Sequence, residues 1–243
     1  MSDARARVSD ALMDPHNVPA HIAIVMDGNG RWADRQKKPR SFGHKAGQKA
    51  LQHVVTCCVE WGIQTLSVYA FSTENWRRPN TEVHFIVAMI KTAIETVKQS
   101  LIDAGVVLRF CGDLSVFDAD LQDAMRQAEA DTAYGKRMTL QVMVNYGGRA
   151  EIVSAVRRYV AQGGDACALT EADIAAHLYA HTDPDLFIRT GGDIRMSNFM
   201  LWQCAYSELY FTDCFWPDFG RDDLIAAIAW YQKRVRRFGG LNP

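Results

Sequence analysis

Short apolar runs, each followed by a longer stretch with helical spacing, recur along the whole chain, and this alternation constrains the fold more than any other feature. The runs lie at residues 22–26, 65–71, 107–111, 139–144, 186–188 and 209–211. Most are continuous in Val, Ile and Leu instead of alternating with polar residues, as expected of strands covered on both faces. The helical stretches lie at 43–61, 81–104, 118–132, 149–161, 171–180 and 222–238. Such alternation predicts an α/β fold: a central, mostly parallel six-stranded sheet flanked by helices, with right-handed crossovers. No linker, repeat or low-complexity block interrupts it, so a single domain over 21–243 is expected, preceded by a mobile N-terminal segment, 1–20. Asn80, and Thr170 with Asp173 three residues on, are the expected helix caps.

Charge and composition exclude several classes. The 243 residues carry 27 Lys+Arg against 28 Asp+Glu and are 48% hydrophobic, which rules out disorder and a strongly basic nucleic-acid binder. The six cysteines form neither a C-x-x-C pair nor a zinc-finger spacing, and they sit in apolar segments. They are expected as buried thiols of a reducing compartment. No signal-type apolar region opens the chain, and no apolar run approaches the roughly 18 residues a membrane span needs. A soluble, cytoplasmic protein without a transmembrane segment is expected.

In an open parallel sheet the ligand crevice lies beyond the carboxyl ends of the strands, so the segments after each run carry the most information. Four are chemically dense: Asp27-Gly-Asn-Gly-Arg-Trp32, Ser72-Thr-Glu-Asn-Trp-Arg-Arg-Pro79, Asn145-Tyr-Gly-Gly-Arg149 and Arg189-Thr-Gly-Gly-Asp-Ile-Arg-Met-Ser197. The third run ends in Gly112-Asp113, which reads as an ordinary turn. Gly28 and Gly30 let the backbone turn sharply and aim N–H groups at an anion, a phosphate cradle. From Asp27 to Arg40 there are two acids and five bases, in a nearly neutral chain. Lys37 and Lys38 read as a solvated face, whereas Arg189 and Arg195, around Gly191-Gly192, suit a second polyanionic group. Asp27, a lone carboxylate in a basic cradle, either offsets that charge, bonds its own turn amides or holds a hard cation, for which Mg²⁺ is the natural candidate. The helix at 81–104 is apolar on more than one face near its start, as a core helix or a helix lining an apolar cavity would be.

Five ordered blocks resemble the cis-prenyltransferases: HIAIVMDGNGRWA from His21, FGHKAG from Phe42, YAFSTENWRRP from Tyr69, NYGGRAEI from Asn145, and DPDLFIRTGGDIRMSNFMLWQCAYSELYFTDCFWPDF from Asp183. The likeness runs from about His21 to Gly240 and is nearest the bacterial undecaprenyl diphosphate synthases. It implies a homodimer that adds isopentenyl diphosphate repeatedly to an allylic primer, usually farnesyl diphosphate, with Mg²⁺ and new cis double bonds. For the metal it implies Asp27, joined by Glu208 of the other subunit. For the allylic diphosphate it implies Gly28, Asn29, Gly30 and Arg31 with Arg40 and His44; Trp32 belongs to the same block. Arg189, Arg195 and Ser197 would hold isopentenyl diphosphate, and Arg237 and Gly239 match a C-terminal element that reaches across the dimer. Trp76 and Arg78 match positions near substrate, and Ser72, Asn75 or the diphosphate itself would position or accept the proton.

The product expected from the resemblance is undecaprenyl diphosphate, delivered to the membrane as the lipid carrier of cell-wall synthesis. Ala70 stands where a small residue lets the chain lengthen; Asp193 replaces a more usual Glu and Thr73 a common Ser. A short- or medium-chain synthase, a non-catalytic partner subunit and a dinucleotide enzyme are the rivals. Gly28-x-Gly30-x-x-Ala33 fits a relaxed dinucleotide fingerprint, but the acid expected about 20 residues on is missing. Both Asp27 and Arg40, which non-catalytic members tend to lose, are present, and there is no D-D-x-x-D motif or P-loop.

Overall fold

The computed structural model describes residues 13–236 and residue 240. All six predicted strands form: β1 (His21–Val25), β2 (Thr65–Ser72), β3 (Val106–Cys111), β4 (Met138–Tyr146), β5 (Leu186–Arg189) and β6 (Glu208–Phe211). They make one parallel sheet in the order β3-β4-β2-β1-β5-β6. Seven α-helices occur among the described residues: α1 (Asn29–Arg35), α2 (Arg40–Glu60), α3 (Asn80–Asp103), α4 (Ala119–Thr132), α5 (Gly148–Ala161), α6 (Glu171–Ala176) and α7 (Arg221–Tyr231). None is long and apolar enough to cross a membrane. The described residues group into two compact units, one within Met1–Leu66, Pro184–Ile194 and Tyr206–Pro243, the other within Ser67–Asp183 and Arg195–Ala205.

In the first unit β1 is buried at every position, and parallel pairing sets Ile22 beside Leu186 and Val25 beside Arg189. Leu186 in turn stands beside Glu208 on β6. Helix α2 lies against α1 and against a 3-10 turn at Trp216–Asp218, where the buried Trp216 donates its indole N–H to the Gly47 carbonyl at 2.8 Å. A buried Trp with its one donor satisfied gives large apolar area without a desolvation penalty.

In the second unit β3 and β4 pair in register from Val106/Met138 to Cys111/Met143. Helix α3 buries Val83, Ile86, Ile90, Ile94 and Leu101, a spacing of three, four, four and seven that turns one stripe inward. Phe85, Val87 and Met89 stay half-exposed, so the apolar surplus at its start spreads beyond the buried stripe.

Several local expectations change. Helix α1 is a separate seven-residue element, and α2 starts at Arg40, before the predicted Gly43. Helices α6 and α7 stop at Ala176 and Tyr231, short of the expected ends. Asn80 lies inside α3, with Pro79 at the cap position, since proline's fixed φ suits a helix entrance. Thr170 and Asp173 do form the reciprocal cap: the Asp173 carboxylate accepts from Thr170 N–H at 2.9 Å, and the Thr170 hydroxyl accepts from Asp173 N–H at 3.2 Å. Cys57, Cys58, Cys111 and Cys204 are buried as expected, but Cys214 is half-buried and Cys167, in the polar loop after α5, is exposed. The first 12 residues of the expected N-terminal segment lie outside the described residues, and residues 13–20 are described.

Candidate active site

In the first unit the carboxyl ends of β1 and β5 are neighbours, and this pairing assembles a compact ionic cluster. Because Val25 lies beside Arg189, the residues just beyond, Asp27 and Thr190, also meet. The Thr190 hydroxyl accepts from the Asp27 N–H at 3.0 Å and donates to the Asp27 carbonyl at 2.8 Å, clamping the backbone. Arg189, with only 4% of its side chain exposed, donates to Asp27 Oδ2 at 2.9 Å and to Asp193 Oδ2 at 3.1 Å. Arg31, one helical turn after Asp27, reaches Asp27 Oδ1 at 3.2 Å and stands 3.9 Å from Asp193. Two guanidinium groups thus alternate with two carboxylates.

Burial alone would raise the Asp27 carboxyl. The Arg189 hydrogen bond and charge, the Arg31 charge and the Gly28 N–H bond outweigh burial and hold it below the ordinary carboxylate range. It is therefore an ionised, hard oxygen donor, 31% exposed. Among the described residues no three His, Cys, Asp or Glu side chains gather into a metal cage. This donor set fits Mg²⁺ in its common mode, in which a carboxylate is supplemented by phosphate oxygens and water.

The glycines of the cradle have distinct reasons to be glycine. Gly28 has φ +105°, and its N–H donates to Asp27 Oδ1 at 2.6 Å. At Gly30 a Cβ would stand 2.5 Å from the Arg40 guanidinium carbon, so the missing side chain is the space Arg40 occupies. That brings Arg40, at the start of α2, over the first turn of α1. Asn29 opens that turn and donates to the Met26 carbonyl at 3.3 Å. Trp32 stacks on Phe42, centroids 5.6 Å apart, and donates to Asp218 at 2.7 Å. His44 is half-buried in the first turns of α2.

Glu208 is not brought to Asp27 within one chain. The register puts it level with Leu186 and Ile22, at the amino ends of the strands, while Asp27 lies beyond the carboxyl end of β1. Five residues at about 3.3 Å each separate the two levels. Arg237 and Gly239 lie outside the described residues.

The second unit carries a mostly neutral counterpart. After β2, Ser72 begins a 3-10 turn, Thr73–Arg77, and Asn75 Oδ1 accepts from the Ser72 N–H at 3.1 Å, closing the loop. Trp76, 41% exposed, donates its indole N–H to Asn145 Oδ1 at 2.8 Å and meets Phe71 edge-on. Asn145, at φ +45°, donates its amide to the Asp113 carbonyl at 2.8 Å. Gly112-Asp113 is therefore more than an ordinary turn, being pinned to the end of β4. Asn198 donates to Glu74 at 2.8 Å and accepts from the Arg149 N–H at 2.9 Å. Burial would raise the Glu74 carboxyl, but the Asn198 bond and nearby backbone and hydroxyl donors lower it. Arg78 pairs with Glu82 one turn on at 3.0 Å, and Arg195 and Ser197 are exposed, Ser197 with φ +52°. Sequence reasoning gives Thr190 and Asn145 no individual role although both lie in the dense segments, and Asn198 falls one residue past the last of them. An Asn directly after the apolar run 139–144 and two residues before paired glycines was the available signal for Asn145, since Asn tolerates positive φ.

Comparison with known proteins places these residues in a family. Residues 25–239 match the prenyltransferase family described as "Putative undecaprenyl diphosphate synthase". An isoprenyl transferase of Nitrosomonas europaea is 48% identical over 225 residues, covering 91% of this chain and 86% of that one. The ditrans,polycis-undecaprenyl-diphosphate synthase ((2E,6E)-farnesyl-diphosphate specific) of Legionella pneumophila is 45% identical, covering 93% and 98%. The crystal structure of lavandulyl diphosphate synthase from Lavandula x intermedia, in complex with dimethylallyl diphosphate, superposes with a TM-score of 0.88 at 34% identity, covering 92% and 99%. The chain belongs to the undecaprenyl diphosphate synthase family of prenyltransferases. Its enzyme class is that of the isoprenyl transferases.

Proposed function

We propose that this protein condenses isopentenyl diphosphate repeatedly onto an allylic diphosphate primer, farnesyl diphosphate, with Mg²⁺, making undecaprenyl diphosphate for the lipid carrier of cell-wall synthesis, and that it works as a cytoplasmic homodimer. The observation that carries the reading is the Asp27–Arg31–Arg189–Asp193 cluster at the carboxyl ends of β1 and β5, in a chain of this family. The Legionella relative, named for farnesyl diphosphate, supports the primer.

The reaction breaks the C–O bond between the primer and its diphosphate while the isopentenyl double bond attacks the allylic carbon, and the new cation then loses a proton. Negative charge grows on the leaving diphosphate. In this reading the N–H groups from Gly28 to Arg31, with Arg40 and His44, hold that group, and Trp32 flanks it. Each close cation–anion contact is worth about 4 kcal/mol at an effective dielectric near 20, before desolvation. Asp27 would hold Mg²⁺, with Glu208 of a second copy completing the site; when bound, the metal supplies Lewis-acid stabilisation of the departing oxygens. Arg189, Arg195 and Ser197 bind the isopentenyl diphosphate, while Ser72 and Asn75 orient or accept the proton beside Trp76 and Arg78.

The test is incubation of purified protein with farnesyl diphosphate, labelled isopentenyl diphosphate and Mg²⁺, with products separated by chain length. A ladder ending at eleven isoprene units is expected. No extension with any allylic primer would overturn the reading, and a ladder ending early would make this a shorter-chain synthase.

A further inference from the structure

We infer that the exposed basic face of α2, with the turn before it, docks this protein on an anionic lipid bilayer. From Arg31 to Lys49 there are seven bases and one acid, Asp34, although the whole chain carries a net charge of −1. The family site uses Arg31 and Arg40 and leaves Lys37, Lys38, Lys45 and Lys49, all exposed. Among the described residues no acid stands within ion-pair distance of these four, whereas Lys91 and Lys98 on α3 pair with Asp120 and Asp131 at 3.7 and 2.6 Å.

The arrangement is a stripe. Phe42, Lys45, Lys49 and His53 follow one another at intervals of three, four and four, so they share one face of α2, and all are exposed. Lys38 extends the stripe, its ammonium 5.9 Å from the centre of the Phe42 ring. Lys45 and Lys49, one turn apart, repel one another, a cost to an isolated helix that an external anionic surface removes. Phe42, 42% exposed and braced flat against Trp32, puts an aromatic ring in the middle of the cations. A ring flanked by lysines that keep their charges at headgroup level is the chemistry of an interfacial helix face.

The choice of lipid over another polyanion rests on the reaction proposed above. A long polyprenyl tail has no stable place in water, and the stripe begins on the same helix as Arg40, where the product's diphosphate would be released.

The experiment measures co-sedimentation of the full chain, without substrate, with vesicles of phosphatidylglycerol and phosphatidylcholine, and with phosphatidylcholine alone. Binding to the anionic vesicles is expected to be about tenfold or more tighter, and to fall away at high salt. The double variant Lys45→Glu/Lys49→Glu should lose about tenfold or more, and the milder Lys45→Gln/Lys49→Gln somewhat less. A control with the same charge change elsewhere, Lys91→Glu/Lys136→Glu, should bind within twofold of wild type; circular dichroism checks folding of each. Equal loss in stripe and control variants, unchanged binding in the stripe variants, or tighter binding to duplex DNA than to anionic vesicles would overturn the docking. Chain extension is assayed separately in detergent. Its absence would sink the proposed reaction and leave the vesicle result standing.

Discussion

The loops after β1 and β5 and the loops after β2 and β4 solve the same problem with different chemistry. In the first unit full charges hold the loops, with Arg189 bridging Asp27 and Asp193 and Arg31 closing the set. In the second, mostly neutral amides do so: Asn75 on Ser72, Asn145 on Trp76 and Asp113, Asn198 on Glu74. An ionic cluster can exchange partners when a new anion arrives, because its cations remain cations whichever oxygen they face. A neutral amide network has no such reserve, and its value is in fixing shape. The first region thus suits binding of charge, the second the placement of an aromatic ring and a hydroxyl.

Substitutions probe the contrast, beginning with the largest expected effect. Asp27→Ala should lower turnover by about 10³-fold, the scale of losing a preorganised electrostatic group, with the far-ultraviolet spectrum unchanged; wild-type turnover would remove Asp27 from the proposed chemistry. Arg189→Met should cost about 3 kcal/mol in urea unfolding, because two carboxylates lose their buried cation. Asn145→Ala should cost about 2 kcal/mol, losing two hydrogen bonds and asparagine's tolerance of positive φ. Asn145→Gly should fall between that variant and wild type, and a Gly variant no better than Ala would show that the backbone contributes nothing.

The acid limb separates the regions more finely. The Asp27 carboxyl is lowered in the folded state, so its contribution is complete above the unfolded value of about 3.9 and is lost as pH falls through the lower folded value. Asp27→Asn should flatten the decline of stability below about pH 4, and Glu74→Gln, at a more exposed carboxyl lowered in the same sense, should flatten it less. The smallest effect is expected at Arg78→Ala, where a partly exposed pair with Glu82 is worth under about 1 kcal/mol.

All six strands were legible in the sequence because their continuous apolar runs have no other use in a chain of this composition. The loops were legible as chemistry because Gly-flanked acids and arginines cluster after strands. Helix α1 escaped because seven residues with Trp32 and Ala33 as its main apolar groups are too few to display a period; its place depends on packing against α2. The Thr190 clamp escaped for a different reason, since it depends on register between β1 and β5, which no local pattern encodes. Likewise, the resemblance alone assigns Glu208 to the other subunit, and the pairing of three strands supplies the intrachain reason, since it sets Glu208 at the opposite strand ends from Asp27.

The contact between Gly30 and Arg40 bears on redesign of this loop. Because the guanidinium, the far end of a flexible side chain, lies in the volume a Cβ at position 30 would need, a side chain placed there is accommodated by moving Arg40 off the first turn of α1. A mutagenesis library at position 30 therefore also reports on where the Arg40 cation sits, whereas one at position 40 meets no obstacle from Gly30, so varying the two jointly separates loss of that cation from its displacement.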